Sequence, residues 1–494
     1  MKKNKRVKTI VLVITLILVA LLIFLCIYGL LGKLDTGLKY YKLDDGTLAV
    51  GSGRNFNLEE IEIPSTHNGK VVTRILERGF SDCDSLKSVT IPDSVKSIGD
   101  SAFSGCNSLE RVNIPNSVAS IGDSAFYGCV SLGSISIPDS VKSIGDSTFN
   151  FCRSLVSINI PNSVSSIGER TFYYCTSLES ITIPDSVRSI GDSAFSECTS
   201  LTNLIIPDSV TSIGYFAFLN CPIEYLAMPI QVIDSVPIQG LKSLVITSGY
   251  SIGEKAFYYC DSLNSVVIPD SIKRIGDKAF YGCHKLVEVY NLSSLEITAG
   301  SEENGCVGYY ALDVYTSLDT PSKLSTDSDG YVIYTSGEEK ILVGYVGNAT
   351  ELTLPTDIAS INNHAFLGCQ SIKSVIIPDS VSSIGECAFY GCILLVNVTI
   401  GNSVENIGFS AFMYCSSLTN VIIPKSVANI GEFTFYNGTS LTNLYYEGSE
   451  EEWNNIVGDY LVTEATLYYY SETEPTEEGN FWHYVDGKIA VWGI

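Results

Sequence analysis

The sequence predicts a β-rich repeat solenoid of short strands and single helical turns, preceded by one N-terminal transmembrane helix. Three observations carry this expectation. Cysteine recurs every 23 residues at Cys83, Cys106, Cys129, Cys152, Cys175, Cys198 and Cys221, again at Cys260, Cys283 and Cys306, and finally at Cys369, Cys392 and Cys415. Apolar residues fall at fixed places between consecutive cysteines, and an uninterrupted apolar run stands near the N-terminus. A period of about 20–29 residues marks stacked units, none of which buries its apolar face alone.

Residues 1–9 carry Lys2, Lys3, Lys5, Arg6 and Lys8 and are expected to form a cytoplasmic basic tail. The apolar run that follows, 10–31, has 22 residues. As a helix at ~1.5 Å per residue it spans about 33 Å, enough for a bilayer core. The rival reading is a cleaved signal peptide, but the run exceeds a usual signal-peptide core and no AxA site closes it. Basic residues ahead of the helix keep the N-terminus inside and send the rest of the chain out, giving a single-pass cell-membrane protein with an extracellular solenoid.

Residues 32–60 read as a linker and N-terminal cap with a turn at Asp45. The first array covers 61–306. Its first coil is irregular, with an Asn68-Gly69 turn signal and a loop histidine, His67, expected to be solvated.

The unit Cys83–Asn107 shows the pattern that the rest repeats. Its apolar positions are Leu86, Val89, Ile91, Val95, Ile98, Ala102, Phe103 and Cys106. Val89 and Ile91 alternate like one inward face of a short strand. Pro92 lacks a ladder donor and ends it in a turn. A second extended piece, Val95–Ile98, precedes Gly99, where positive φ or close backbone approach is expected. Asp100 then reads as the N-cap of one helical turn.

The string SLxSVxIPxSVxxIGxxAFxxC, as in Ser108 to Cys129, resembles the BspA-like leucine-rich repeat family, found largely on bacterial surface proteins. The resemblance runs from about Ile61 to Leu444. It implies a curved leucine-rich-repeat superhelix whose strand face binds other macromolecules, with adhesion as a role of some members, and it supplies no catalytic residues.

The array is irregular at 222–253, where shortened coils are expected. A larger break, 307–350, contains Tyr309, Tyr310, an Asp329-Gly330 turn and alternating Tyr331, Ile333, Ile341, Val343 and Tyr345, which suits a β insertion. It reads either as a binding element or as an island that resumes the stack. The second array covers 351–448, with Phe366, Phe389, Phe412 and Phe435 in its core. Residues 449–494 hold all three tryptophans, Trp453, Trp482 and Trp492. The segment resembles C-termini of bacterial family members and reads as an aromatic cap, with a sugar-binding patch as the sharper alternative.

No catalytic, cofactor or metal site is expected. His67, His284, His364 and His483 lie in different coils without paired ligand spacing, and no nucleophile elbow or phosphate loop occurs. The carboxylates Asp100, Asp123, Asp146, Glu169 and Asp192 form one column, read as helix caps rather than calcium ligands. One cysteine per coil suits buried thiols better than metal sites or disulfides. Beyond the six basic residues that precede Asp35, 24 basic side chains face 54 acidic ones, a balance of −30 that repels nucleic acid and anionic lipid.

A binding surface should therefore lie on the strand face, at Ser88, Thr90, Arg111, Asn113, Ser134, Ser136, Ser157, Asn159, Ser180, Thr182 and Asn203. The expected partner is an extracellular protein on a host or neighbouring cell. A glycan-binding protein and a passive spacer are the alternatives. A tyrosine row including Tyr127, Tyr173, Tyr174, Tyr258, Tyr259, Tyr281, Tyr390 and Tyr414 is expected to pack between coils.

Overall fold

The structure, a computed structural model, describes residues 37–53, 57–235, 239–456, 465–476, 478–486 and 488–492. The expected basic tail and transmembrane run lie outside the described residues. Among the described residues no helix is long and apolar enough to cross a membrane. The described residues form two compact units, residues 37–223 with 234–235 and residues 224–233 with 239–492.

In the first unit each coil contributes two short parallel strands. One ladder pairs Glu60–Glu62, Ser88–Thr90 and Arg111–Asn113 in register, Ser88 opposite Arg111 and Thr90 opposite Asn113. A single bridge, Asn113 to Ser136, leads to a further run of the same kind, Ser134–Ile135, Ser157–Asn159 and Ser180–Thr182. A second ladder pairs the Ser-Ile dipeptides, such as Ser97–Ile98 with Ser120–Ile121. The unit opens on a hairpin, Leu38–Lys42 against Leu48–Ser52, turned at Asp45, whose carboxylate accepts from the Thr47 amide. The Asn68-Gly69 pair makes a tight hairpin with φ of 51° and 72°. His67 is not a free loop histidine: its ring stacks on Tyr40 at 3.8 Å.

All eight apolar positions of the Cys83–Asn107 unit are buried. The phenylalanines make a continuous stack from Phe80 to Phe218, with ring centroids 5.2–5.6 Å apart and nearly parallel planes. That spacing follows from the strand rise between coils.

The expected single helical turns are absent from the repeats, and a different device stands in their place. Ser101 and Gly105 both adopt left-handed backbone, at φ of 50° and 73°. Alternate amides therefore point opposite ways. Ala102, Ser104 and Cys106 bond three residues back, whereas Ser101, Phe103 and Gly105 donate to Asp123, Ala125 and Tyr127 of the next coil. The segment is thus a third ladder. Helices among the described residues are limited to a 3-10 turn Ile230–Ser235, the irregular Glu303–Cys306 and Glu450–Ile456. The glycine column needs no positive φ. A Cβ on Gly122 would lie 2.6 Å from the backbone N of Asp100, so close approach alone demands glycine.

In the second unit a parallel ladder runs through Tyr225–Met228, Ser243–Ile246, Ser265–Ile268, Glu288–Asn291 and Asp313–Tyr315. An antiparallel meander follows, Leu324–Thr326, Tyr331–Ser336 and Glu339–Tyr345, and its last strand pairs in parallel with Ser360–Ile361 to begin the next ladder. The expected one-sided alternation gives way to burial on both faces. Tyr331, Ile333, Leu342 and Tyr345 join the core of the following coils, while Val332, Tyr334 and Val343 pack with Val287. The strands Glu351–Thr353, Ser374–Ile376, Asn397–Thr399, Asn420–Ile423, Asn443–Tyr446 and Thr466–Tyr470 carry a parallel ladder to Phe481–Val485.

Candidate functional site

The strand face is built by alternation: Val89, Val112, Ile135, Ile158, Ile181 and Leu204 point into the core, so their neighbours point out. Among the candidate residues, Thr90, Arg111, Asn113, Ser134, Ser136, Ser157, Asn159, Ser180, Thr182 and Asn203 are exposed and Ser88 is half-buried. In-register pairing sets Ser134, Ser157 and Ser180 in one column and Asn159 beside Thr182. Asn159 is partly committed, its Nδ2 donating to the Ile137 carbonyl at 3.1 Å.

The chain matches the family described as BspA type leucine rich repeat region, in six copies over residues 54–178, 119–244, 250–302 and 344–457. It is a BspA-type leucine-rich repeat protein. No curated protein matches it. Among solved structures, a leucine rich cell surface protein from Faecalibacterium prausnitzii is 26% identical, with 87% of this chain and 98% of that one covered at a TM-score of 0.35. The leucine rich repeat protein of T. pallidum is 32% identical over 38% of this chain and 87% of its own, TM-score 0.35. A leucine-rich repeat protein from Bacteroides ovatus is 25% identical over 83% and 98%, TM-score 0.36.

The second unit of this BspA-type chain shows where the face is open and where it is closed. Glu288 sits in register with Ser265 on the outward side, yet it is fully buried. Ser322 Oγ and the Lys323 amide donate to its two oxygens, both at 2.7 Å, so the segment after Asp319 covers it. Lys323 Nζ reaches Asp313 at 2.6 Å, and Tyr315 and Tyr334 also donate to that carboxylate. Burial works against the charge on Asp313, but these donors outweigh it and hold the carboxyl below its ordinary range. The open face resumes at Glu351 and Thr353 and runs on through Asn397 and Asn420, with Asn443 Nδ2 donating to Asn420 Oδ1 at 3.0 Å. Sequence reasoning placed the surface in the first array and missed this second stretch, although the strand alternation signals both.

The carboxylate column has a different task from the expected helix caps. Asp100, Asp123 and Asp146 each accept from the amide of the residue 23 positions on, at 3.0, 2.9 and 2.8 Å. The same bond joins Asn363 to Glu386, which shows that acceptance rather than charge is required.

The described cysteines are free thiols with a task that the sequence reading did not foresee. Cys106, Cys129, Cys152, Cys175 and Cys198 each donate to the carbonyl of a core phenylalanine in the preceding coil, at 2.9–3.2 Å. Burial pushes the Cys129 thiol up to about 12. Cys306 leaves the column: it is half-exposed, and the preceding Gly305 carbonyl accepts from Phe280. Serines of the proline turns act alike, Ser117 donating to the Val95 carbonyl at 2.6 Å.

The aromatic segments divide between packing and display. Trp482 is fully buried, its indole N–H donating to the Tyr446 carbonyl at 3.0 Å, Trp453 is buried, and Trp492 donates to Ser471. These commitments suit a cap rather than a sugar platform. Tyr258 stacks on Tyr281 at 5.6 Å, and Tyr258, Tyr259 and Tyr281 remain exposed. Contrary to the expected scatter of histidines, His284 and His364 stack face to face at 3.9 Å.

Proposed function

We propose that this BspA-type chain is a non-enzymatic cell-surface protein, held by its apolar run 10–31, that binds an extended segment of another extracellular protein along the strand face of the first array. One observation carries the reading: successive coils present short polar side chains in register, Ser134, Ser157 and Ser180 among them, with no covering segment among the described residues. Such a face offers donors and acceptors at the strand spacing of about 4.8 Å, which suits many weak contacts with an extended partner. The acidic balance beyond Asp35 disfavours nucleic acid.

A glycan ligand is the second reading, favoured by the exposed Tyr258, Tyr259 and Tyr281. The two readings separate in one experiment. The ectodomain from Gly37 onward is presented to immobilised extracellular matrix proteins and to a glycan set, beside a Ser134→Arg, Ser157→Arg variant. The proposal expects protein binding weakened at least tenfold in the variant at unchanged thermal stability. Binding to glycans that survives in the variant and disappears in Tyr281→Ala would transfer the function to the tyrosine ridge, and no saturable binding at all would leave a passive spacer.

A further inference from the structure

His284 ends the last full coil before the insertion, and His364 opens the turn segment of the first coil after it. The two rings lie 3.9 Å apart with planes inclined by 23°. His284 Nδ1 is 2.8 Å from Asp261 Oδ1. His364 is only 8% exposed, adopts left-handed backbone at φ 59°, and its Nδ1 is buried without a hydrogen-bond partner. Its amide donates to the Glu386 carbonyl, which fixes the backbone but leaves the ring unsatisfied. Tyr310 packs edge-on against both imidazoles, at 5.0 and 5.8 Å.

We propose that the His284–His364 stack is an acid-sensitive latch, holding the coil after the insertion against the coil before it only while His364 is neutral. A proton on His364 would be a buried cation with no acceptor at Nδ1, stacked on a second imidazole. The charged and titratable groups facing it are His284, Asp261, Lys285, Tyr310 and, beyond Lys285, Cys369. Burial first, then His284 and the Lys285 ammonium, hold the His364 imidazole down at about 3, and Asp261 opposes them only in part. Burial pushes the Tyr310 hydroxyl and the Cys369 thiol up, so both stay neutral under acid. Asp261, the one anion of the group, is bonded to His284 and makes no bond to His364.

The direction follows from linkage. His364 is a base whose value is depressed in the closed form, so the closed form keeps its full advantage above the ordinary histidine value of about 6.5 and loses it as pH falls from there toward 3. Opening should grow roughly tenfold per pH unit in that window, hence about thirtyfold between pH 7.5 and 5.0.

Hydrogen exchange of the full chain, read by mass spectrometry and corrected for the intrinsic pH dependence of exchange, tests this. Peptides spanning 282–287 and 361–370 should open about thirtyfold more at pH 5.0 than at 7.5, while peptides within 140–200 should not change. His364→Phe keeps a stacking ring and removes the titratable nitrogen. Phenylalanine already occupies the equivalent left-handed position at Phe216 and Phe433, both at φ 57°, so the variant should fold and lose the pH response. An equal response in wild type and His364→Phe, no acceleration at pH 5.0 in wild type, or acceleration shared by residues 140–200 would each overturn the latch.

Discussion

Truncating Phe149 to alanine should open the middle of the first array. Its ring is fully buried and lies between Phe126 and Phe172, 5.6 Å from each, with planes inclined by 2° and 6°. Removing a buried phenylalanine side chain costs about 3–5 kcal/mol, the cavity included. The upper half of that range is expected here, because two stacking contacts go at once and the walls cannot close. Phe126 and Phe149 donate to Thr148 and Thr171 of the following coils, both at 2.9 Å, and these bonds hold the coil spacing apart. A cost of about 4 kcal/mol is a factor of roughly a thousand in the local opening constant. Hydrogen exchange of peptides covering 126–172 reads that constant directly. A melting curve is a poorer measure, since long repeat arrays depart from two-state unfolding. Protection within tenfold of wild type across these peptides would refute the stack as the source of core stability.

The remaining expectations concern other columns of the coil. The buried Cys129 thiol, raised to about 12, keeps its stabilising effect below the unfolded thiol value of about 8.5 and loses it as pH climbs between the two, by about 1.4 kcal/mol per pH unit; urea midpoints should therefore fall steeply above pH 9, and a flat profile to pH 11 would contradict the burial. The buried column thiols, Cys306 and Cys369 apart, should react with iodoacetamide only after denaturation without reductant, and unreactive denatured protein would reveal disulfides. In Gly145→Ala the new Cβ would lie 2.6 Å from the carbonyl carbon of Gly122, so a loss of about 1–3 kcal/mol is expected in the local opening free energy that hydrogen exchange reads across 122–146. Unchanged stability there would mean that the coils are not closely apposed.

The period and the core were legible because they live in side chains: Leu86 to Cys106 repeat by type, and every one is buried. The turn segment was misread because its backbone imitates a helix. Cys106 bonds Phe103 three residues back as a helical turn would, but Ser101 in the left-handed region carries no mark that sequence alone provides. The thiol donors were missed for a similar reason, since a small buried apolar residue and a donor to a buried carbonyl look alike until the Phe126 oxygen is seen beside Cys152. The strand face was readable from alternation, except where Ser322 and Lys323 close over Glu288, a long-range contact with no local signature. The His284–His364 contact was equally hidden, because it depends on how the insertion returns the chain to the stack.

The repeated polar face of the first array is proposed to hold the partner through many weak contacts. Deleting two coils in register, residues 129–174, joins Gly128 to Cys175 and restores the repeat, so the ladders should close again with fewer copies of the face. Adhesion of the shortened protein to its extracellular partner should fall well below that of the intact chain while its circular dichroism and core protection persist. Undiminished adhesion after that deletion, or full adhesion from a fragment beginning at Glu351, would contradict the claim and place the binding surface in the C-terminal third.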